Sequence, residues 1–462
     1  MHAFNRALVT RLYREILFRE PDSGGLDHYT SQLEARQLLP DQVEETLRGS
    51  PEYVSVISPL LEEIESVYAT YLLRAPTAQE VAQGVENFRN ALPTFAQSVQ
   101  AIKTGKCRAH LGIRPLNLEM DITNQCNLRC IMCYFSDERI YKRKRVDISV
   151  EDFGKIAGQL FPLCHKVSLS IGTEPLLHHH FDELLAITEA HRVPRTYINT
   201  NALLLNEALI DQMVQSRFHA MAISIDAATK ETYERIRVGS NFDKVIANIK
   251  AVNRAKERAK SDVPHLTFNF VLMKSNIEEL PALVRMAKEL QIEGIAAVHM
   301  VAYDNTNTQH ESLERHKELC NRWLDATREA AKECNVRVQL PDNFELGPRR
   351  PLTNSVTPTY FDLNTRVDKV VRSCCQFPWH FVGIDCEGNV VPCGWWYGEP
   401  SMGNIKTERF EDIWNNARYR TLRAEHMSGG LRKTCSTCPA AGVGNVSNTS
   451  AFTVKKPGLF VG

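Results

Sequence analysis

The sequence predicts an α/β protein with an all-helical segment in front and a cysteine-rich segment behind. Three observations predict it. Between about 113 and 340, short β-rich runs alternate with amphipathic helical stretches. Residues 1–105 carry helical periodicity without a strand pattern, and from about 366 cysteines crowd around a hairpin-like run. Six strand–helix units in succession mean parallel strands joined by right-handed crossovers. The pattern alone leaves open whether they close into a barrel.

Composition narrows the function classes. The 462 residues hold 55 Lys+Arg and 55 Asp+Glu, with 43% hydrophobic and 24% charged residues. That length suggests about three domains of ordinary globular make-up. A zero net charge gives no overall field for nucleic acid or an anionic membrane, so neither is expected as a partner. No uncharged apolar run approaches the ~18 residues of a spanning helix. Arg6, Arg11 and Arg14 interrupt any signal-like stretch, and a cytoplasmic location is the expectation. Thirteen cysteines, odd in number and unevenly spaced, point to metal rather than to a disulfide framework. Cys107, Cys164, Cys320 and Cys334 stand alone and read as small buried hydrophobes.

Each element has its own justification. In residues 1–105, Tyr13, Leu17, Arg19, Pro21 and Leu26 recur 55 positions later as Tyr68, Leu72, Arg74, Pro76 and Val81. Each unit reads as a helix stopped by Arg-x-Pro, a short turn and further helix, with Asp22 and Gly24-Gly25 as turn chemistry in the first. The second copy lacks that Asp and Gly, and two copies are too few for a solenoid. The first copy, followed by Ser50-Pro-Glu-Tyr53, resembles a small bacterial helical domain of unknown function found in surface-associated and glycan-related proteins. Strands are expected over 116–122, 166–171, 196–199, 220–225, 266–271 and 294–300, with helices over 181–190, 207–216, 244–256 and 277–290. Residues 341–365 read as a linker and the uncharged tail 439–454 as loop.

The first strand runs into Cys126-x3-Cys130-x2-Cys133. Three thiolates within eight residues converge on one centre and leave it short of a fourth protein ligand. Structural zinc normally takes four. A [4Fe–4S] cubane held by three cysteines keeps one iron open. The loop also lies at the carboxyl end of a parallel strand, where α/β folds place their chemistry.

These residues resemble the radical S-adenosylmethionine enzymes, over roughly 113–340. The resemblance implies a partial (β/α)6 TIM-type barrel. Ile171-Gly-Thr-Glu-Pro-Leu-Leu177 is similar to the family's Gly-Gly-Glu-Pro segment, so Gly172 and Glu174 would receive the amino group of the cofactor's methionine. Thr173 departs from the pattern, since a β-branched residue resists positive φ. Asn199-Thr-Asn201 resembles a Thr-Asn-Gly segment with Ala202 in place of Gly. Ser224 and Arg237 would contact the cofactor's carboxylate and ribose. An Arg fork suits a carboxylate, although an Asp226–Arg237 ion pair is the competing reading. The 270–273 run would supply an apolar wall for adenine. The resemblance further implies reductive cleavage of S-adenosylmethionine to a 5′-deoxyadenosyl radical, with flavodoxin or ferredoxin as electron donor.

The second cysteine group begins at Cys374-Cys375 and continues through Trp379, Ile384-Asp-x-x-Gly388-Asn-Val-Val-Pro-Cys393 and Cys435-x2-Cys438. The middle run reads as a hairpin with a two-residue turn. A zinc ribbon and an iron–sulfur site both fit a split pair of cysteine groups. The segment resembles the SPASM domain and its shorter relative, twitch. That implies an α+β domain over 366–462 with one auxiliary [4Fe–4S] cluster, making two in all. The ligands would be Cys375 (or Cys374), Cys393, Cys435 and Cys438. Cys386 reads as a turn residue rather than a ligand.

Two weaker features remain. The run Lys142-Arg-Lys-Arg145 could receive phosphates, with a solvated loop as the simpler reading. His178-His179-His180 could bind metal but sits where a helix cap is expected. The leading functional expectation is oxidation or epimerisation of a carbohydrate or other small metabolite. Modification of a ribosomally made peptide is the alternative, and a non-enzymatic electron carrier or sensor is the third.

Overall fold

The computed structural model describes residues 1–72, 74–104, 111, 116–301, 306, 308–346, 375, 377–396, 399–428 and 430–436. The chain forms two compact units that divide at residues 115 and 116. Cys107, Cys374, Cys438, most of the expected linker and the expected tail lie outside the described residues.

The first unit is helical throughout its described residues, from His2–Leu12 to Phe95–Lys103. Its core is Val9, Leu12, Ile16, Val43, Ile57, Leu60, Ile64, Val85 and Phe88. The repeat is visible in its contacts. Arg19 lies 5.2 Å over the Tyr13 ring and Arg74 lies 5.0 Å over Tyr68. Each Arg is then held by a carboxylate, Glu52 in the first copy and Glu80 in the second. Asp22 caps the helix Ser23–Glu34, accepting from the Gly25 N–H at 2.8 Å. Thr77 occupies the matching place and caps Ala78–Ala91 in a reciprocal box with Glu80. The second turn therefore keeps its function with different chemistry.

The second unit is built on one ten-stranded sheet. Its first six strands fall where the periodicity places them: β1 Leu116–Met120, β2 Cys164–Ser168, β3 Arg195–Thr200, β4 Ala220–Ser224, β5 His265–Leu272 and β6 Gly294–His299. All pair in parallel, and β7, Arg337–Gln339, adds to β6. Alternation along β5 shows the two faces. Leu266, Phe268, Phe270 and Leu272 are buried toward the helices, while Thr267, Asn269 and Val271 face the inside of the curved sheet. Asn269 meets Asn199 across that inner face at 2.7 Å. Within the strand part of 270–273, Val271 is the residue on the inner face where the apolar wall is expected.

The C-terminal segment joins the same sheet. Strand β8, Phe381–Ile384, pairs in parallel with β1; β9, Asn389–Val391, and β10, Gly403–Asn404, follow antiparallel. The order is β10-β9-β8-β1-β2-β3-β4-β5-β6-β7, an open partial barrel. The β8–β9 turn differs from expectation. Asp385 and Asn389 close it, leaving three residues in the loop, with Gly388 at φ 90°. Asp385 accepts from the N–H groups of Glu387 and Asn389, which tightens a turn that needs a left-handed glycine at its end.

Candidate active site

Strand β1 delivers the first cysteine loop to the carboxyl rim of the sheet, where segments after β2, β3 and β4 hold it together with Arg143 of its own connection. The N–H groups of Arg129 and Ile131 donate to the carbonyls of Val238 and Ile236 at 2.9 Å. The Glu174 N–H donates to the Gln125 carbonyl at 3.0 Å, and Asn201 Nδ2 to Asn127 Oδ1 at 2.8 Å. Arg143 donates to the Asn124 carbonyl at 2.6 Å. Gly239, at φ 92°, lets its segment run close under Asn127. The loop is thus fixed by groups that follow β2, β3 and β4 in the chain.

Burial pushes all three thiols up, Cys133 to about 12. Buried thiols of this kind ionise only beside positive charge, which a metal centre provides. Among the described residues, no three His, Cys, Asp or Glu side chains gather tightly enough to grip a single ion. A cubane offers each thiolate its own iron, so its ligands stand further apart than the about 3.8 Å between thiolates on one zinc. The loop's three thiols and its burial fit such a group.

The expected cofactor residues come together beside this loop. Glu174 is 3% exposed. Its carboxylate accepts from Thr200 Oγ1 at 2.7 Å and from the Asn201 N–H at 2.8 Å. Burial raises its pKa to about 7 against the pull of those hydrogen bonds. Gly172 is required by contact, because a Cβ there would lie 2.4 Å from the Tyr134 hydroxyl. That hydroxyl donates to the Gly172 carbonyl at 3.0 Å. Ala202, in the glycine position of its segment, adopts φ 60°. Ser224 ends β4, half-buried.

Arg237 is paired. Its Nη2 lies 2.6 Å from Asp226 Oδ2, and its Nη1 lies 3.8 Å from Cys130 Sγ. Burial is the largest influence and opposes the guanidinium's charge, but Asp226 together with Cys130, Tyr233 and Cys126 outweighs it and keeps the pKa high. The ion-pair reading of Asp226 thus holds, and the same guanidinium also reaches the cysteine loop.

The sequence reading missed Asp121, between β1 and the cysteines. One of its oxygens accepts from the N–H groups of Ile171, Gly172 and Thr173 and from Thr173 Oγ1, at 2.8–3.3 Å. Thr173 is explained by this contact: no positive φ is found there, and its hydroxyl completes the cradle. A carboxylate immediately preceding the loop was the available signal.

The second cysteine group forms a separate site. Cys375, Cys393 and Cys435 open on one cavity, walled by Phe377, Pro378, Trp395, Trp396, Leu422 and His426. Three thiols in an apolar wall suit a cubane. Cys386 is buried in the β8–β9 turn, away from that wall.

The weaker features are structural. Arg145 pairs with Asp147 at 2.8 Å and also donates to the Leu177 carbonyl. Lys142 pairs with Glu138, so the basic run is largely internally engaged. The histidines serve separately: His178 is buried against the Ile148 carbonyl, His179 meets Asp147, and His180 heads the helix Phe181–Ala190 and pairs with Glu183.

Comparison with known proteins matches residues 120–287 to the radical SAM superfamily and 374–439 to the SPASM iron–sulfur cluster-binding domain. An AdoMet-dependent heme synthase of Methanosarcina barkeri is 24% identical over 74% of this chain and 97% of its own. A PqqA peptide cyclase of Xanthomonas axonopodis pv. citri is 23% identical over 70% and 80%. The crystal structure of Streptococcus suis SuiB bound to precursor peptide SuiA superposes with a TM-score of 0.54, at 17% identity, covering 82% of this chain and 83% of that one. No helix among the described residues is long and apolar enough to cross a membrane.

Proposed function

We propose, for a chain that is a radical S-adenosylmethionine enzyme with a C-terminal SPASM domain, that its substrate is a peptide and the outcome oxidative. [4Fe–4S] clusters and S-adenosylmethionine are the cofactors those domains imply. The observation that carries the peptide reading is the match to PqqA peptide cyclases, which runs over 70% of the chain and 80% of theirs. We weigh it above the carbohydrate expectation, which rested on relatives with one auxiliary cluster that oxidise aminosugars and on a resemblance of the helical segment. A second reading, a small non-peptide metabolite, draws on the heme synthase, whose length this chain covers almost completely.

In this reading Cys126, Cys130 and Cys133 hold the first cluster. Gly172, Glu174, Asn201, Ser224 and Arg237 border the cofactor. Cys375, Cys393, Cys435 and Cys438 hold an auxiliary cluster. When bound, the first cluster and cofactor supply a 5′-deoxyadenosyl radical that abstracts hydrogen from the substrate. The protein's part is placement. Asp121 fixes the backbone of 171–173, Glu174 fixes that of Asn201, and Tyr134 ties the cysteine loop to the Gly172 carbonyl. The auxiliary cluster would take the second electron of an oxidation, and a flavodoxin or ferredoxin would supply the first.

The test incubates anaerobically reconstituted enzyme with S-adenosylmethionine, a reductant and short peptides encoded beside its gene. Peptide losing two hydrogens per 5′-deoxyadenosine formed is the expected result. A mass unchanged in H₂O and one unit higher in D₂O would mean epimerisation and overturn the oxidative outcome. Cofactor cleavage stimulated by sugars or other metabolites and by no peptide would refute the proposal.

A further inference from the structure

Beside the second cysteine group lies a buried polar atom without a partner. His426 occupies the last turn of the helix Ala417–Ser428 and is 6% exposed. Its ring packs edge-on to Trp379, centroids 6.1 Å apart at 76°. It forms part of the wall of the cavity that Cys375, Cys393 and Cys435 open on. Its Nδ1 has no hydrogen-bond partner among the described residues. An orphaned buried donor or acceptor costs about 1–3 kcal/mol, so a native structure normally supplies its partner.

The rest of that wall narrows what the partner is. Phe377, Pro378, Pro392 and Leu422 offer no side-chain acceptor. Thr434, the wall's one hydroxyl, donates to Glu399 at 2.6 Å. Among the described wall residues, the side-chain acceptors are the Thr434 oxygen, whose hydroxyl is already turned to Glu399, and the cysteine sulfurs with whatever they bind. Trp379 packs against the ring at its edge, and the ring belongs to the same wall as the three cysteines.

We propose that His426 donates its Nδ1–H to a sulfur of the auxiliary centre and thereby raises that centre's reduction potential. The inference rests on the reading that this cavity holds the auxiliary [4Fe–4S] cluster. A hydrogen bond to a cluster sulfur stabilises the reduced, more negative state over the oxidised one. His426 is a positioning and tuning residue. It is not a ligand, and it makes the auxiliary cluster a better electron acceptor.

The test uses the full chain carrying Cys126/Cys130/Cys133→Ala, so that only the auxiliary cluster reports. Iron content and an EPR-monitored redox titration are measured for this parent and with His426→Leu or His426→Asn added. Asn places an amide N–H near the Nδ1 position, whereas Leu keeps volume without a donor. The expected result is about four irons in each. At a fixed poise, the reduced fraction relative to oxidised falls about tenfold in the Leu variant, which is ~59 mV for a one-electron couple. At least half of that shift returns in the Asn variant. A potential unchanged in both variants overturns the proposal. So does a directly coordinated histidine nitrogen in the parent's hyperfine spectrum, which would make His426 a ligand. Should the Leu variant lose its iron, His426→Phe, which keeps a ring without a donor, takes its place in the comparison. A parent that binds no cubane fails the auxiliary-cluster reading itself, before His426 is reached.

Discussion

Asp226→Asn removes one charge from a pair that neither member can leave. Asp226 is fully buried, and Arg237 is 7% exposed. One carboxylate oxygen accepts from the Val271 N–H at 2.7 Å, and the other meets Arg237 at 2.6 Å. An Asn can keep the first bond, but its NH₂ then points at the guanidinium, donor against donor. Removing one partner of a buried ion pair typically costs about 3–5 kcal/mol, because the survivor stays buried and uncompensated. Urea unfolding of the metal-free protein should show a loss of that size. Arg237→Met should lose a similar amount. The double variant should lose less than the two single losses combined, since it buries no unpaired charge. In cluster-loaded protein the Asn loss should shrink, because Cys130 Sγ lies 3.8 Å from the same guanidinium and would be a thiolate there. Single losses below about 1 kcal/mol, or a double variant that equals their sum, would refute the account of a coupled buried pair.

Other outcomes follow from the same rim. Glu174 titrates near 7 when folded and near its ordinary 4.5 when unfolded, so the folded state holds its proton over that window. Stability of the metal-free protein should therefore be greater at pH 4.5 and fall toward pH 7, by at most about 3 kcal/mol, and Glu174→Gln should flatten that slope. Gly172→Ala drives a Cβ to 2.4 Å from the Tyr134 hydroxyl and should cost about 1–3 kcal/mol in thermal unfolding. Adding Tyr134→Phe should recover most of it, as the next ring atom is 3.5 Å away. Gly388→Ala puts a side chain at φ 90° and 2.6 Å from Lys406 Cγ, so a loss of at least about 1–2 kcal/mol is expected by calorimetry.

How far the sequence carried depended on the range of the interaction. Strands β1 to β6 were legible because each is a local β-rich run followed by an amphipathic helix. Strand β7 was not, since three residues after the long helix Lys317–Cys334 leave no periodicity to read. The pairing of β8 with β1 was invisible for another reason. A central parallel strand and a hairpin strand look alike until their partners are known. Gly172 could be singled out by its place in the cofactor segment, but not the Tyr134 that approaches it. Thr173 looked like a departure because the pattern was read as a demand on φ. Its hydroxyl satisfies Asp121 instead, a contact fifty-two positions away in the chain. His426 gave no signal, being a lone histidine in a polar helix until the fold sets it on the wall of the cysteine cavity.

Pairing β1 with β8 also orders events on the ribosome. Asn117 meets Phe381, so β1 waits roughly 260 residues for its second neighbour. At typical translation rates that delay is between about 13 and 50 s. Meanwhile the strand that carries the first cysteine loop is an open edge, able to recruit other chains. Its inward side chains, Asn117 and Glu119, are polar, and Lys166 of β2 pairs with Glu119 at 3.6 Å. Such charge on an open edge discourages sticking while the nascent chain is incomplete. A nascent chain stalled before residue 381 is thus the species in which aggregation should compete most strongly with completing the sheet.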